Sequence, residues 1–139
     1  ASQVKANDKG FLSKDVLVSD LISLRGDIHH LFPKDYLSKH GLDRGKYNQI
    51  ANYVYMQSEV NIKVGNKPPK DYFELIKNQI QDENRQVSGL STEQDLLDNL
   101  KMNCVPTEIM DMQISDYQDF LTLRRKLMAQ KIKAYYFSL

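Results

Sequence analysis

Two adjacent histidines in the run Ile28-His29-His30-Leu31-Phe32-Pro33, followed at intervals by Asn52 and Asn61, are the residues of this chain best suited to chemistry. A neutral imidazole can bind a divalent ion or take a proton near neutral pH, and two side by side can do both at one phosphate group. The pairing therefore points towards metal-dependent phosphodiester hydrolysis. The third histidine, His40, precedes Gly41 and reads as a helix end, where a cationic side chain suits the dipole. It is assigned no catalytic duty.

The elements that must position these residues are short. Asp27 to Leu31 is β-tolerant and bounded by Gly26 and Pro33, as a strand would be. On a strand His29 and His30 alternate sides, so one faces the core and the other the surface. Asn52-Tyr53-Val54-Tyr55-Met56 favours a second strand through its aromatic and β-branched content. Ser58 is placed to cap a short helix through Val60, Asn61, Ile62 and Val64 that stops at Gly65. Between the strands, Pro33 to Gly41 predicts one or two helical turns, Leu42 to Lys46 a polar loop, and Tyr47 to Ala51 a turn or half-helix.

Helices are predicted around this insert. Val16, Leu17, Leu21, Ile22 and Leu24 follow helical spacing, with Ser13 as the cap. Pro68-Pro69 opens a helix through Tyr72, Phe73, Ile76 and Ile80, and Gln81 to Gly89 is a polar loop. Further helices begin near Ser91-Thr92-Glu93 and Ser115, the last running close to the C-terminus. The expected fold class is α+β and mostly helical: a two-stranded antiparallel hairpin surrounded by helices.

With 139 residues the chain suits one domain, 1–139, with its motif in 27–67. A hydrophobic fraction of 41% and a charged fraction of 27% are ordinary for a globular protein. The net charge of +1 means that any nucleic-acid contact must come from local clustering. Lys63, Lys67 and Lys70 are the cluster nearest the motif. A single cysteine, Cys104, makes neither an internal disulfide nor a Cys-rich zinc site and reads as a buried small hydrophobe, which points to a reducing cytoplasm. No apolar run approaches the ~20 residues that span a bilayer. The start Ala1-Ser2-Gln3-Val4-Lys5 has neither an initiator methionine nor an apolar leader, so we expect a C-terminal fragment of a longer polypeptide.

His29-His30-Leu31-Phe32-Pro33, then Asn52, then Asn61-Ile62-Lys63, resemble the motif of the HNH endonucleases, also called ββα-metal or His-Me finger nucleases. The wider segments Asp27 to Lys34, Tyr47 to Asn52, Asn61 to Lys63 and Pro68-Pro69-Lys70-Asp71-Tyr72 resemble the C-terminal nuclease domain of GmrSD-type modification-dependent restriction enzymes. The tail Asp119-Phe120-Leu121-Thr122-Leu123-Arg124-Arg125 is similar to that family's closing helix.

This resemblance implies a ββα-metal insert and a role for each motif residue. His30 would be the general base that deprotonates water, and His29 and Asn61 would be the metal ligands. Asn52 would hold the loop that carries the base. One His and one Asn leave most of a six-coordinate shell to water and phosphate oxygens, as suits one Mg²⁺ ion. His29 stands where many members have aspartate, which removes a negative charge and admits Mn²⁺, Co²⁺ or Ni²⁺. The implied partners are DNA, with or without base modification, and an N-terminal recognition or nucleotide-hydrolysing domain outside this chain. The implied setting is restriction or phage defence.

Two other readings remain open on the sequence. A nuclease-fold module without catalysis would bind DNA or a partner protein and cleave nothing. A structural His site in an unrelated helical protein would hold its metal in a closed shell. Arg124 and Arg125 could serve DNA, a helix C-terminal half or a partner carboxylate, while Tyr53, Tyr55 and Tyr72 read as core or half-buried sheet residues.

Overall fold

The computed structural model describes residues 1–23, 28–82 and 88–139. Leu24, Gly26 and Asp27, and most of the predicted loop from Gln81 to Gly89, lie outside the described residues. In chain order the elements are α1 (Ser2–Lys5), α2 (Val18–Ser23), β1 (Ile28–His30), α3 (Lys34–Lys39), α4 (Arg44–Tyr47), β2 (Tyr53–Tyr55), α5 (Ser58–Val64), α6 (Pro69–Gln81), α7 (Glu93–Met102) and α8 (Tyr117–Phe137). The class is α+β and mostly helical, and β1 and β2 form a two-stranded antiparallel sheet. No described helix is long and apolar enough to cross a membrane.

Helix periodicity explains the core. On α6, Tyr72, Phe73, Ile76 and Gln79 are buried, and on α8, Tyr117, Phe120, Leu121 and Arg124 are. Each set recurs every three or four residues and so forms one inward stripe. Phe32, directly after β1, sits 5.2 Å from the Tyr117 ring and 4.9 Å from the Phe120 ring. The Tyr72 hydroxyl donates to the Leu31 carbonyl at 2.8 Å. The segment that leaves β1 is therefore held by α6 and α8 together.

Several boundaries differ from the sequence reading. The first amphipathic helix begins at Val18, and Ser13 does not cap it; the Ser13 hydroxyl donates instead to Gln57 Oε1 at 2.8 Å. Residues 9 to 17 fold back on themselves through a Lys9–Leu17 bridge, with Gly10 N–H donating to the Val16 carbonyl at 2.9 Å. A Cβ at Gly10 would lie 2.6 Å from Leu21 Cδ1 and 3.3 Å from the Tyr55 carbonyl oxygen, so any larger residue there would displace the Leu21 side chain. Next to it, the Phe11 N–H donates to Tyr55 O at 2.7 Å, tying the N-terminal segment to the end of β2.

The predicted polar loop from Leu42 to Lys46 overlaps α4, whose first turn is capped by Asp43 accepting from Lys46 N–H. Ser58 is the first residue of α5 and not its cap, a place taken by Gln57 without a side-chain bond. Thr92 caps α7, accepting from Asp95 N–H at 3.0 Å. The last helix starts at Tyr117, preceded by a 3-10 turn over Ile114–Asp116.

Candidate functional site

The ladder pairs Ile28 with Tyr55, His29 with Val54 and His30 with Tyr53. Cross-strand partners share a face, so His29 lies on the side of Val54, which is buried in the core. The His29 Nε2 is withdrawn from solvent. His30 lies on the opposite side with Tyr53, its ring edge-on to Tyr53 at 5.1 Å and to Tyr47 at 6.2 Å. Its Nε2 is 2.9 Å from Asn48 Oδ1, within hydrogen-bond distance. The two adjacent imidazoles thus leave β1 from opposite faces.

Asn52 ends a 3-10 turn over Ile50–Asn52 and is completely buried. Its Oδ1 accepts from Phe32 N–H at 2.8 Å, and its Nδ2 donates to the carbonyls of Phe32 at 3.0 Å and Tyr47 at 3.3 Å. Its own carbonyl accepts from Leu31 N–H at 2.8 Å. One side chain therefore satisfies backbone groups on both sides of the loop between the strands, groups that would be costly to bury unpaired. The chain following His30 is stapled to the chain entering β2.

Arg124 completes that staple from α8. It is buried, and it donates to the carbonyls of Ala51 at 3.0 Å, Asn103 at 3.1 Å and, by a short bond, Tyr53. Desolvation by burial pulls its pKa down to about 10, which leaves it a cation at neutral pH. The sequence offers it DNA, a helix C-terminal half or a partner carboxylate; its observed acceptors are backbone carbonyls, two of which, Ala51 and Tyr53, flank Asn52. Arg125, the next residue, is exposed and donates to Gln49 Oε1 at 3.1 Å.

Asn61 lies on α5 beside the buried stripe formed by Val60 and Val64 and is itself half-buried. Val54, which faces the same way as His29, shares one core cluster with Val60 and Val64. The candidate ligands thus stand on a strand and a helix that turn apolar neighbours into the same core. Their donor set is an imidazole and an amide, so an ion held by them would need oxygens from water or phosphate to complete its shell. Among the described residues no group of three or more His, Cys, Asp or Glu side chains gathers for a metal.

Lys63, Lys67 and Lys70 are exposed, at the end of α5, in the following turn and in the first turn of α6. On the other side of the hairpin, Lys34 holds its ammonium 5.8 Å from the centre of the Tyr47 ring. His40 bonds within its own helix end, Nδ1 lying 2.8 Å from the Tyr36 carbonyl.

Sequence reasoning missed Asn48 and Tyr47 as neighbours of His30. An asparagine beside a turn gives no sign that its amide reaches a strand 18 residues earlier. The charge distribution was a signal in plain view. Residues 28–70 carry 7 Lys and Arg against 3 Asp and Glu, although the whole chain is nearly neutral. Comparison of the chain with protein-family models, with curated proteins and with solved structures gives no match.

Proposed function

We propose that this chain is a metal-dependent DNA endonuclease domain of the HNH, or His-Me finger, type, similar to the nuclease domain of GmrSD-type restriction enzymes. The observation that carries this reading is the Asn52 staple. The resemblance asks the middle asparagine to hold the loop that bears the base, and Asn52 binds Phe32 and Tyr47 across that loop. A second support is the order of elements, strand, loop, strand and helix, with the motif residues His30, Asn52 and Asn61 in sequence along it.

In this reading His30 takes a proton from the water that attacks phosphorus. His29 and Asn61 would hold one divalent ion, Mg²⁺ or, given an imidazole in place of a carboxylate, Mn²⁺, Co²⁺ or Ni²⁺. When bound, such an ion stabilises negative charge on the phosphorus-centred transition state and on the leaving 3′ oxygen. Lys63, Lys67 and Lys70 contact the DNA backbone, where each neutralised phosphate makes binding salt-dependent. The domain works in the cytoplasm as the cleavage part of a restriction or phage-defence enzyme whose other domain recognises modified DNA or hydrolyses nucleotide.

The test is plasmid nicking with Mg²⁺ or Mn²⁺. The protein converts supercoiled DNA to nicked or linear product, chelator stops it, and His30→Ala with an unchanged melting temperature gives none. Equal cleavage by His30→Ala, or binding without cleavage across all four metals, would remove the assignment.

A further inference from the structure

We infer that Asn48 is the positioning residue for His30: its amide oxygen accepts the Nε2 proton and leaves Nδ1 as the ring nitrogen that receives a proton from water. This inference rests on the nuclease reading for its kinetic part, and on geometry alone for the state of the ring. The Nε2 to Oδ1 separation is 2.9 Å. A neutral imidazole has one N–H and one lone pair, and the partner of one nitrogen decides which form the other takes. An acceptor at Nε2 selects the form with its lone pair on Nδ1.

Asn48 is well placed to enforce this because the backbone around it is fixed from both sides. Its own N–H donates to the Arg44 carbonyl at 3.0 Å, closing α4. On one side, Tyr117 donates to Lys46 O at 2.7 Å, and Asn52 donates to Tyr47 O. On the other, Gln49 donates to Gly45 O at 2.6 Å and accepts from Arg125. The imidazole itself is bounded by two phenol rings that meet it edge-on, Tyr53 and Tyr47. Rotation of the ring would break the Asn48 bond.

The bond is exposed at its rim, so its removal changes stability little while freeing the base to turn. That separates a positioning role from a structural one. The experiment combines nuclear magnetic resonance of histidine-labelled full chain at mildly alkaline pH with plasmid-cleavage kinetics. The parent protein should show a protected His30 Nε2–H proton, with Nδ1 at the shift of an unprotonated nitrogen. Asn48→Leu should lose that protected proton and lower kcat roughly tenfold, the usual scale for groups that orient a reacting residue, with KM for DNA and the melting temperature unchanged. Asn48→Asp, which keeps an acceptor oxygen at the same reach, should retain the proton and most of the rate.

A parent ring protonated on Nδ1, a protected proton that survives in Asn48→Leu, or an unchanged kcat in that variant would overturn the inference. If the ring behaves as expected but the parent never cleaves DNA under any divalent metal, the nuclease reading falls and the Asn48 bond stands.

Discussion

At the scale of single residues, the candidate site depends on asparagines used as connectors. Asn52 is the clearest case, because its one amide closes three hydrogen bonds to backbone in a place water does not reach. Asn52→Ala should lower stability by about 3 kcal/mol, since buried backbone groups of Phe32 and Tyr47 lose their partner. Denaturant unfolding measures the loss, and hydrogen exchange at the Phe32 amide should accelerate more than elsewhere. Asn52→Asp keeps the accepted bond and loses the donated ones, so it should fall between the parent and the alanine variant. Asn99 does similar work elsewhere, accepting from Leu12 N–H and donating to the carbonyls of Gly10 and Ser13. It holds Leu12 at φ +59°, a backbone region that a leucine rarely adopts unaided.

At the scale of elements, what counts is how α5 and α8 are fixed to the hairpin. Gly65 ends α5 at φ +62° and ψ −141°, a combination nearly restricted to glycine. Gly65→Ala should cost about 2 kcal/mol and shift the lysines beyond it, visible as a lower melting temperature together with weaker DNA binding. Arg124→Met should cost about 3 kcal/mol, because it strands the carbonyls of Ala51, Tyr53 and Asn103 in the interior. Arg125→Met, one residue on and exposed, should cost well under 1 kcal/mol by the same unfolding measurement. The strands, α5 and the start of α6 were legible in the sequence, since β-branched and aromatic content, Gly65 and Pro68-Pro69 are local signals. The α2 start was not, because Val16 and Leu17 fit helical spacing while their backbone pairs with residues 9 and 10. Nor was α4, a single turn whose one buried side chain is Tyr47. Arg124 sits in a run of basic residues that reads as serving DNA, a helix C-terminal half or a partner carboxylate, and the carbonyls that claim it come from segments distant along the chain.

At the scale of the whole molecule, charge and burial set the behaviour in solution. Residues 28–70 carry an excess of cations in a chain that is nearly neutral as a whole. Burial raises the phenol of Tyr117 to about 12 and that of Tyr72 further. The unfolded phenol value is about 10, so the unfolded chain releases these protons first. Their contribution to stability is therefore complete below about pH 10 and lost as pH rises through the folded values. Melting temperature should fall steeply across that window, and tyrosinate absorbance should appear with unfolding. Tyr117→Phe should be about 1 kcal/mol less stable at neutral pH, having lost its bond to Lys46 O, and less sensitive to alkali.

The measurement that reaches the central claim most directly is anomalous diffraction from crystals of the full chain soaked in Mn²⁺. The account predicts one strong peak within coordinating distance of the His29 imidazole and the Asn61 amide oxygen, with the remaining positions taken by water. A peak at other residues, or none in a protein that cleaves DNA only when Mn²⁺ is present, would contradict it.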